Sequence, residues 1–398
     1  MSGQPRAPQS LLVVSGVEHY EHRGRLWAFG PYAREIELWA DLFPRLSIAA
    51  PRGTGAPPDD ATAIDRQGLV LLPQRLIGSP RSLGRLAQAV AAPAHVWRLW
   101  RAIRAHDAVH VRLPNVLGML GALLAPLSGR PACAKYAGQW APYPGERPVV
   151  KLQRWLLRRW FRGPVGVYGE WPGEPAHIVP SFTSMMDRSQ VEEAGRIAAA
   201  RPPGLQRPGQ PVRLLFAGRL AAQKRVDRLV DACARLESRG VAVRLRLVGD
   251  GPQRGALERQ ARDLGLADRF ETTGALPFDR VAAQYAWCDV LVLPSAHEGW
   301  PKVLAEAMAH GVVCLSSAGG FARSMLDGRG VALDRADGEE IADAVTALAG
   351  DPERVDRMRR EAADWAARHS REDLREAIRA MLESGWRVTL RPPATISR

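Results

Sequence analysis

Two glutamates stand on either side of a rigid turn in the segment HEGWPKVLAEAMAHG, which covers positions 297–311. Pro301 suits the first position of a helix, where its missing N–H costs nothing, and Gly299 can adopt backbone angles that other residues avoid. A helix that begins in this way presents free N–H groups, which attract phosphate. The carboxylates of Glu298 and Glu306 are suited to accept hydrogen bonds from hydroxyl groups, such as those of a sugar. The alternative is that Glu298 caps the helix and Glu306 is solvated.

A second group of charged residues, Arg219 and Lys224, lies in the segment AGRLAAQK at 217–224. Arginine can bind a diphosphate with two parallel hydrogen bonds, and lysine adds a compact positive charge. Only four of the 55 basic residues are lysines, and Lys224 and Lys302 both fall in predicted loops. The pair therefore indicates a diphosphate site, and the alternative is two exposed cations on a basic protein.

The second half of the chain alternates between short apolar runs and helical patterns. The runs include VRLLFAG, VRLRLVGDG, CDVLVLPS and VVCLSS. Strands separated by helices imply right-handed βαβ units and a parallel sheet. Ligands bind beyond the carboxyl ends of the strands in such a sheet. The loops predicted at this edge are 217–224, 249–252, 273–277 and 294–302.

The first half also alternates between strands and helices, with a helical segment predicted at 81–106. The segment RPPGLQRPGQP is dense in proline and glycine and therefore predicts an interdomain linker. The whole chain is predicted to be α/β with two Rossmann-like domains. The expected divisions are an N-terminal domain over 1–200, a linker over 201–211, a C-terminal domain over 212–370, and a helix with a tail over 371–398.

Motifs between positions 212 and 320 follow one another in a recognisable order. They are Gly218-Arg219-Leu220 with Lys224, Val248-Gly249-Asp250-Gly251-Pro252, Gly274, Pro294-Ser295, and Glu298-Gly299 with Glu306-Ala307-Met308 and Gly311. This series resembles the nucleotide-sugar domain of retaining glycosyltransferases of family 4. The resemblance implies the GT-B fold, in which two Rossmann-like domains face a central cleft. The C-terminal domain would then bind the nucleotide-sugar donor, and the N-terminal domain would bind the acceptor.

The resemblance also implies a role for each charged residue of these motifs. Arg219 and Lys224 would bind the donor diphosphate, and Glu298 would contact the donor sugar, so these three are the expected catalytic residues. Glu306 would contact the ribose of the nucleotide. One glutamate would thus recognise the sugar and the other the ribose, with the helix start between them holding phosphate.

Other donor-binding positions follow from the same resemblance. The loop around Leu276 would cover the base, and the backbone from Trp300 to Val303 would hold phosphate and sugar. The Trp300-Pro301 pair departs from many family members, which have an aromatic residue or leucine followed by glycine. The remaining expected donor-binding residues are Gly218, Gly249, Asp250, Gly299, Pro301, Lys302 and Val303.

Three features of the N-terminal half are the expected acceptor-binding positions. The segment after the first strand resembles the family's glycine-rich first loop, but it contains Gly24-Arg25 in place of a glycine pair. The segment VHVRLPN resembles a strand-end motif in which a histidine two residues before Pro-Asn often faces the acceptor. Here Arg112 occupies that position and Asn115 ends the motif, while the histidine is His110. Arg112 can meet a phosphorylated acceptor, and His110 is alternatively a buried strand residue.

A basic helix is predicted between positions 149 and 161. Lys151, Arg154, Arg158 and Arg162 recur at helical spacing and so share one face, which suits an anionic bilayer surface. The alternative is a domain helix that packs on its sheet and exposes a solvated basic face.

The composition excludes several classes of protein. Four cysteines without a CxxC pair predict neither a zinc site nor a disulfide framework. No apolar run is long enough to span a bilayer, and the first residues lack the layout of a signal peptide. We therefore expect a cytoplasmic protein, peripheral at most at the inner face of the membrane. The net charge of +13 is compatible with nucleic acid, but the arginines are dispersed and no nucleic-acid motif is present.

The resulting expectation is a retaining glycosyltransferase that moves a sugar from a UDP- or GDP-sugar to an acceptor. The acceptor would be a glycan or a lipid-linked glycan of cell-surface polysaccharide biosynthesis. No DxD motif is present, so no metal or other cofactor is expected, and no residue is an obvious covalent nucleophile. The resemblance implies front-face displacement, in which the leaving phosphate helps to deprotonate the acceptor. The alternative is a non-catalytic GT-B-like subunit that binds glycan or scaffolds other enzymes.

Overall fold

Two compact units make up the chain, whose computed structural model describes residues 7–74, 85–205 and 209–390. The first unit contains Met1–Thr183 and Asp373–Arg398, and the second contains Ser184–Glu372. Each unit is built on a sheet of parallel strands covered by helices, so the predicted α/β class is confirmed.

The strands form two large sheets and one small one. The first unit has a parallel sheet in the order β10-β9-β8-β7-β1-β4-β6 and an antiparallel sheet in the order β2-β3-β5, and the second unit has a parallel sheet in the order β13-β12-β11-β14-β15-β16. In chain order the strands are β1 Ser10–Val14, β2 His19–His22, β3 Arg25–Phe29, β4 Arg45–Ala50, β5 Ala61–Ala63, β6 Val70–Pro73, β7 Ala108–Leu113, β8 Ala132–Tyr136, β9 Val165–Tyr168, β10 Ile178–Ser181, β11 Val212–Ala217, β12 Val243–Val248, β13 Phe270–Gly274, β14 Val290–Leu293, β15 Val313–Ser317 and β16 Gly330–Leu333.

Helices connect most of these strands. In chain order they are α1 Gly30–Ala40, α2 Arg85–Arg104, α3 Val116–Leu124, α4 Pro148–Arg159, α5 Arg188–Ala199, α6 Val226–Ser238, α7 Arg254–Asp263, α8 Phe278–Trp287, α9 Lys302–Ala309, α10 Ala322–Leu326, α11 Gly338–Ala349, α12 Pro352–Ala366 and α13 Arg371–Trp386. A short 3₁₀ turn, Ala125–Ser128, continues α3. None of the described helices is both long enough and apolar enough to cross a membrane.

The sheet of the first unit is buried on both faces. Leu11 and Val13 of β1 join the core under α1 and α13, whereas Leu12 and Val14 join the core under α2, α3 and α4. Successive side chains of a strand point to opposite faces, so the fully apolar run of β1 is the pattern that a central parallel strand requires.

The strand order of the second unit reverses at β11. This strand pairs in parallel with β12 on one side and with β14 on the other. The chain after β11 and the chain after β14 therefore leave adjacent strand ends in different directions. Such a switch point opens the crevice in which ligands bind in open α/β sheets.

The boundary between the units differs from the predicted one. Helix α5 precedes the proline-rich segment but packs against α9 and α12, so the second unit already begins at Ser184. The expected linker 201–211 thus lies inside the second unit, and its positions 206–208 are outside the described residues. The predicted C-terminal element 371–398 is not a separate appendage, because Leu374, Ile378 and Leu382 of α13 lie in the core of the first unit. Positions 81–84 of the predicted helix and 391–398 of the tail are outside the described residues.

Arg201, at the start of the proline-rich segment, anchors that segment to the second unit. Its guanidinium donates hydrogen bonds to the carbonyl oxygens of Tyr285 at 2.5 Å, Cys288 at 2.8 Å and His310 at 2.6 Å. These carbonyls end α8 and α9, where the helix itself supplies no donor. One side chain therefore ties together the carboxyl ends of two helices.

We expect Arg201→Ala to lower the free energy of unfolding by about 3 kcal/mol, because three carbonyl groups lose a charged donor. Arg196→Ala is the matched control, since the Arg196 side chain is 75% exposed and pairs only with the exposed Glu193 among the contacts that the structure describes. That change should cost less than about 0.5 kcal/mol. Chemical denaturation measures both, and equal effects would mean that Arg201 is a linker residue after all.

Candidate active site

Glycines bring the loops after β11 and β12 into direct backbone contact. Gly249 has φ of 133°, and a Cβ there would lie 2.0 Å from the carbonyl oxygen of Gly218. A Cβ on Gly251 would lie 2.4 Å from the carbonyl oxygen of Leu220. Any side chain at either position would force the two loops apart. The glycines of these motifs are therefore required for the close approach of the backbones.

The same contact orders the segment that carries the predicted diphosphate ligands. The N–H of Gly218 donates to Val248 O at 2.8 Å, and the N–H of Leu220 donates to Asp250 O at 2.9 Å. Arg219 lies between these two bonds with its side chain exposed. Within the described part of the chain no acidic side chain pairs with Arg219, so its guanidinium faces solvent at the edge of the crevice.

Lys224 and Glu298, which are expected to contact different parts of a donor, meet across the switch point. Lys224 Nζ lies 2.5 Å from Glu298 Oε1, and both side chains are partly buried. The N–H of Ala296 donates to Gln223 O at 2.8 Å, which ties the loop after β14 to the 3₁₀ turn that ends at Lys224. A lysine has three N–H donors, so Lys224 can hold Glu298 and still donate to an anion.

Aromatic packing fixes the start of α9. Trp300 is buried and stacks on Phe321 at 5.3 Å and on Trp365 at 5.8 Å between ring centroids. Trp365 stacks in turn on His369 at 3.8 Å. Pro301, the predicted first helical residue, instead occupies the cap position, one residue before α9 begins at Lys302. Trp300, which belongs to the pair that departs from the family pattern, is therefore part of this aromatic stack.

Glu306 is a buried carboxylate on α9. It is 7% exposed, and its Oε2 accepts a hydrogen bond from the Tyr285 hydroxyl of α8 at 2.7 Å. Burial holds the pKa of Tyr285 well above its usual value, with the adjacent Glu306 carboxylate acting in the same direction. The alternative of a solvated Glu306 is therefore wrong.

Glu306 and Tyr285 line a cavity of about 280 Å³ in the second unit. Phe278, Asp279 and His310 line it as well, together with residues of α5. Its walls are mostly apolar, and the Glu306 carboxylate is a polar group among them. The cavity is not lined by Arg219, Lys224 or Glu298. The structure therefore brings Lys224 and Glu298 together, whereas Glu306 lines a separate cavity.

Two further expected donor-binding residues shape the loops around the crevice. Asp250 accepts a hydrogen bond from the N–H of Gly251 at 2.7 Å and pairs with Arg254 at 3.4 Å. Leu276 is half-buried in the loop between β13 and α8. Asp250 follows the carboxyl end of β12, and Leu276 follows the carboxyl end of β13.

The expected acceptor positions of the first unit include a buried charge cluster that the sequence analysis missed. Glu35 accepts hydrogen bonds from Arg112 at 2.7 Å and from Lys135 at 3.0 Å. The two neighbouring cations hold the pKa of Glu35 below its usual range despite its burial. Lys135 also donates to Phe182 O at 3.2 Å. The scarcity of lysine was the one available signal, because Lys135 is among the four.

Other acceptor positions have structural roles that differ from the expectation. His110 is buried, stacks on Trp39 at 4.0 Å, and has its pKa lowered by burial to about 3. His110 is therefore a buried strand residue of β7, which is the alternative stated above. Asn115 caps α3 by accepting from the N–H of Gly118 at 2.6 Å. Gly24 and Arg25 lie at the turn and the start of β3 in the β2–β3 hairpin.

The predicted basic stripe on α4 is only partly a surface feature. Arg154 is buried against Glu146 at 2.5 Å, and Arg158 binds Glu174 through contacts of 2.6–3.0 Å. Two of the four cations are therefore already neutralised within the unit. The reason is that their carboxylate partners lie outside the helix, where helical spacing alone does not reveal them.

Residues that ligate metals are not clustered in the described ranges: no group of three or more histidine, cysteine, aspartate or glutamate side chains there could hold an ion. The four cysteines are buried and free.

Comparison with solved structures identifies the class of fold. The chain aligns with Anabaena HepE in complex with UDP and glucose at a TM-score of 0.66 and 17% identity, covering 95% of this chain and 100% of that one. It aligns with a sucrose-phosphate synthase from Thermosynechococcus elongatus at a TM-score of 0.68 and 19% identity, covering 94% and 98%. The architecture is thus that of GT-B glycosyltransferases, with two Rossmann-like domains.

Sequence comparison supplies the family. Residues 211–351 match the family of glycosyl transferases group 1. A 2-deoxystreptamine N-acetyl-D-glucosaminyltransferase of Streptomyces fradiae is 30% identical over 320 residues, which cover 72% of this chain and 75% of the relative. A GDP-mannose-dependent phosphatidylinositol monomannoside mannosyltransferase of Mycolicibacterium smegmatis is 29% identical over 373 residues, covering 86% and 91%. The chain belongs to the group 1 glycosyltransferases.

We expect Tyr285→Phe to lower the free energy of unfolding by about 1–3 kcal/mol, because the buried Glu306 carboxylate loses a donor. Tyr20→Phe is the matched control, since the Tyr20 hydroxyl donates to Glu18 at the same distance of 2.7 Å but in an exposed position. The control should change stability by less than about 0.5 kcal/mol. Thermal and chemical unfolding measure the stability of the two variants. An equal loss of stability in both would refute a larger contribution of the buried Tyr285–Glu306 hydrogen bond.

Proposed function

We propose that the protein is a retaining glycosyltransferase of family 4 that transfers a sugar from a UDP- or GDP-sugar to a hydroxyl group. The observation that carries the proposal is the Lys224–Glu298 pair, 2.5 Å apart in the crevice of the second unit, with Arg219 exposed on the adjoining loop. A non-catalytic scaffold would have no need to keep two cations and a carboxylate together at a switch point.

The two cations would act on the donor diphosphate. Arg219 has no competing acidic partner among the described residues, and Lys224 keeps donors that Glu298 does not use. Negative charge grows on the leaving diphosphate as the sugar bond breaks. Fixed cations that stabilise this charge lower the barrier more than they tighten ground-state binding. The resemblance to retaining glycosyltransferases supports front-face displacement, in which the acceptor hydroxyl would attack the sugar carbon from the side of the departing phosphate and the phosphate would take the proton.

Glu298 would contact the donor sugar. In the structure its carboxylate is held by Lys224, and only one of its oxygens is used in that contact. The second oxygen can accept a hydrogen bond from a sugar hydroxyl. The ion pair would therefore orient Glu298 relative to the diphosphate before the sugar binds.

Glu306 would bind the ribose, and the cavity that it shares with Tyr285 would take part of the nucleoside. A nucleoside combines an apolar ring with a pair of hydroxyls, which suits a mostly apolar cavity with one buried carboxylate. The Tyr285 hydroxyl donates to Oε2 of Glu306, and a carboxylate has about four acceptor sites, so Glu306 would also accept a hydrogen bond from a hydroxyl of the ribose.

The acceptor would be a hydroxyl-bearing glycan or lipid-linked glycan of cell-surface polysaccharide synthesis, and the enzyme would work at the inner face of the membrane. Support comes from the names of relatives, among them the phosphatidylinositol monomannoside mannosyltransferase and a putative colanic acid biosynthesis glycosyltransferase of Salmonella typhimurium, which is 34% identical over 116 residues. The proposed acceptor unit is the first one, and the exposed positions offered there are Gly24 and Arg25, because Arg112 is bound to the buried Glu35.

We expect Arg219→Ala and Lys224→Ala each to reduce turnover by on the order of 100-fold, because each removes a charge that stabilises the leaving diphosphate. Arg244→Ala is a control for Arg219→Ala, since Arg244 is also an exposed arginine of the second unit but lies on β12. Release of nucleoside diphosphate from candidate donor sugars measures turnover. Normal turnover in both site variants would contradict the assignment.

We expect Glu298→Gln to keep the affinity for free nucleoside diphosphate but to cripple transfer, because Glu298 contacts the sugar and not the nucleotide. Glu306→Gln should weaken nucleoside diphosphate binding by about tenfold, since a charged acceptor of a ribose hydrogen bond becomes neutral. The glutamine can still accept from Tyr285, so the variant tests the ligand contact and not folding. Calorimetry with UDP and GDP compares the variants, and equal loss of affinity would disprove the division of labour.

A further inference from the structure

Large apolar side chains are exposed on one region of the first unit. Of the eleven that are exposed in the described part of the chain, eight lie on or beside α2, α3, α4 and the 3₁₀ turn Ala125–Ser128. We call this surface the tryptophan face, and it consists of Trp97, Val116, Leu123, Leu127, Val149, Leu152, Trp155 and Trp160. Trp97 is 55% exposed, Trp155 is 56% exposed and Leu127 is 61% exposed. Exposed apolar residues that gather in this way, and are not scattered singly, indicate an interaction surface.

The helices that carry the tryptophan face form a single layer. Their inward side chains all join one core on the same side of the sheet, including Leu99 of α2, Leu117 of α3 and Leu156 of α4. Hydrogen bonds connect the neighbours: Trp160 Nε1 donates to Leu123 O at 3.2 Å, and Arg104 donates to Ser128 O at 3.1 Å. The outward residues of the three helices are therefore parts of one continuous side of the unit.

The charges of this layer have one sign. Positions 108–145 and 147–169 contain no aspartate or glutamate, and neither does helix α2. The one acidic residue between the two ranges, Glu146, is buried and neutralised by Arg154. Exposed cations lie among the apolar residues, and the guanidinium of Arg101 lies 4.8 Å from the ring centre of Trp97. The other exposed cations are Arg98, Arg104, Arg130, Arg147, Lys151, Arg159 and Arg162.

We propose that the tryptophan face seats the first unit on an anionic lipid bilayer. Tryptophan is favoured at the level of the lipid headgroups, where its ring is in apolar surroundings and its N–H in polar ones. Arginine and lysine at the rim pair with lipid phosphates while their aliphatic stems lie along the apolar surface. A face without carboxylates has no charge that would repel an anionic leaflet. The proposal does not rest on the glycosyltransferase assignment, because its residues lie outside the donor site.

This surface differs from the basic stripe predicted on α4. Arg154 and Arg158 turn inward to Glu146 and Glu174, so they contribute little to attraction. The outward side of α4 carries Leu152 and Trp155 instead. Binding should thus have an apolar component that resists salt as well as an electrostatic component that salt screens.

The test is cosedimentation of the full chain with vesicles of phosphatidylcholine alone or of phosphatidylcholine mixed with phosphatidylglycerol. We expect the wild type to bind the mixed vesicles at low salt and to keep part of this binding at high salt. The double variant Trp97→Ser/Trp155→Ser should bind at least about tenfold more weakly, since it removes two large apolar contacts. The triple variant Arg101→Gln/Lys151→Gln/Arg159→Gln should lose on the order of 100-fold at low salt, at about fivefold per cation.

Matched controls come from the second unit. Leu264→Ser removes an apolar side chain that is 40% exposed there, and Arg244→Gln/Arg262→Gln/Arg280→Gln changes the net charge by the same amount as the triple variant. Both controls should bind vesicles as the wild type does. Thermal stabilisation by UDP or GDP, measured on the same samples, shows whether the donor site works, so failure of the proposed function would be seen separately.

Two results would overturn the proposal. One is wild-type sedimentation that the tryptophan and the cation variants leave unchanged. The other is a wild type that ignores anionic vesicles but forms a dimer which Trp97→Ser/Trp155→Ser dissociates, because the face would then be an interface between two copies. Circular dichroism and unfolding curves establish that each variant is folded, which the exposure of the changed side chains predicts.

Discussion

The candidate active site depends on β11 being hydrogen-bonded to β12 on one side and to β14 on the other. This pairing sends the two following loops away from each other and leaves a crevice at the strand ends. The loops after β11 and β12 can approach each other because Gly249 has no side chain, since a Cβ there would lie 2.0 Å from the carbonyl oxygen of Gly218. Lys224 and Glu298, which lie 74 positions apart in the chain, meet only because of this arrangement.

The two units each contain an ion-pair cluster, and the two clusters differ in burial. Glu35 is buried, and both of its oxygens are bound by cations, so the cluster with Arg112 and Lys135 satisfies itself. Removing one partner of such buried ion pairs costs stability, because a charge is left buried without a partner. The intact cluster leaves few donors for a ligand. The Lys224–Glu298 pair is partly exposed and bonded through one oxygen, so each partner keeps capacity for a ligand. The second arrangement is the one that a binding site requires.

The first unit shows why helical spacing is an incomplete guide to a surface. The stripe on α4 groups four cations by their spacing, yet the structure assigns Arg154 and Arg158 to carboxylates on neighbouring segments. Exposed apolar residues such as Leu152 and Trp155 lie on α4 beside the exposed Lys151. They are continuous with the exposed apolar residues of α3 and α2 only because the three helices share one layer. Exposure is thus decided by neighbours, not by the pattern of one helix.

Local signals were enough to predict the parallel α/β class and the loops that carry Arg219, Lys224 and Glu298, because apolar runs, turn residues and motif order can be read along the chain. The folded structure was needed to show that Lys224 pairs with Glu298, that Arg201 joins two helix ends, that Glu306 is bonded to Tyr285, and that His110 is a core residue. It also decided the boundary of the units, since α13 returns to the first unit after the whole second unit has intervened. These facts depend on contacts between segments far apart in the chain, which local pattern does not encode.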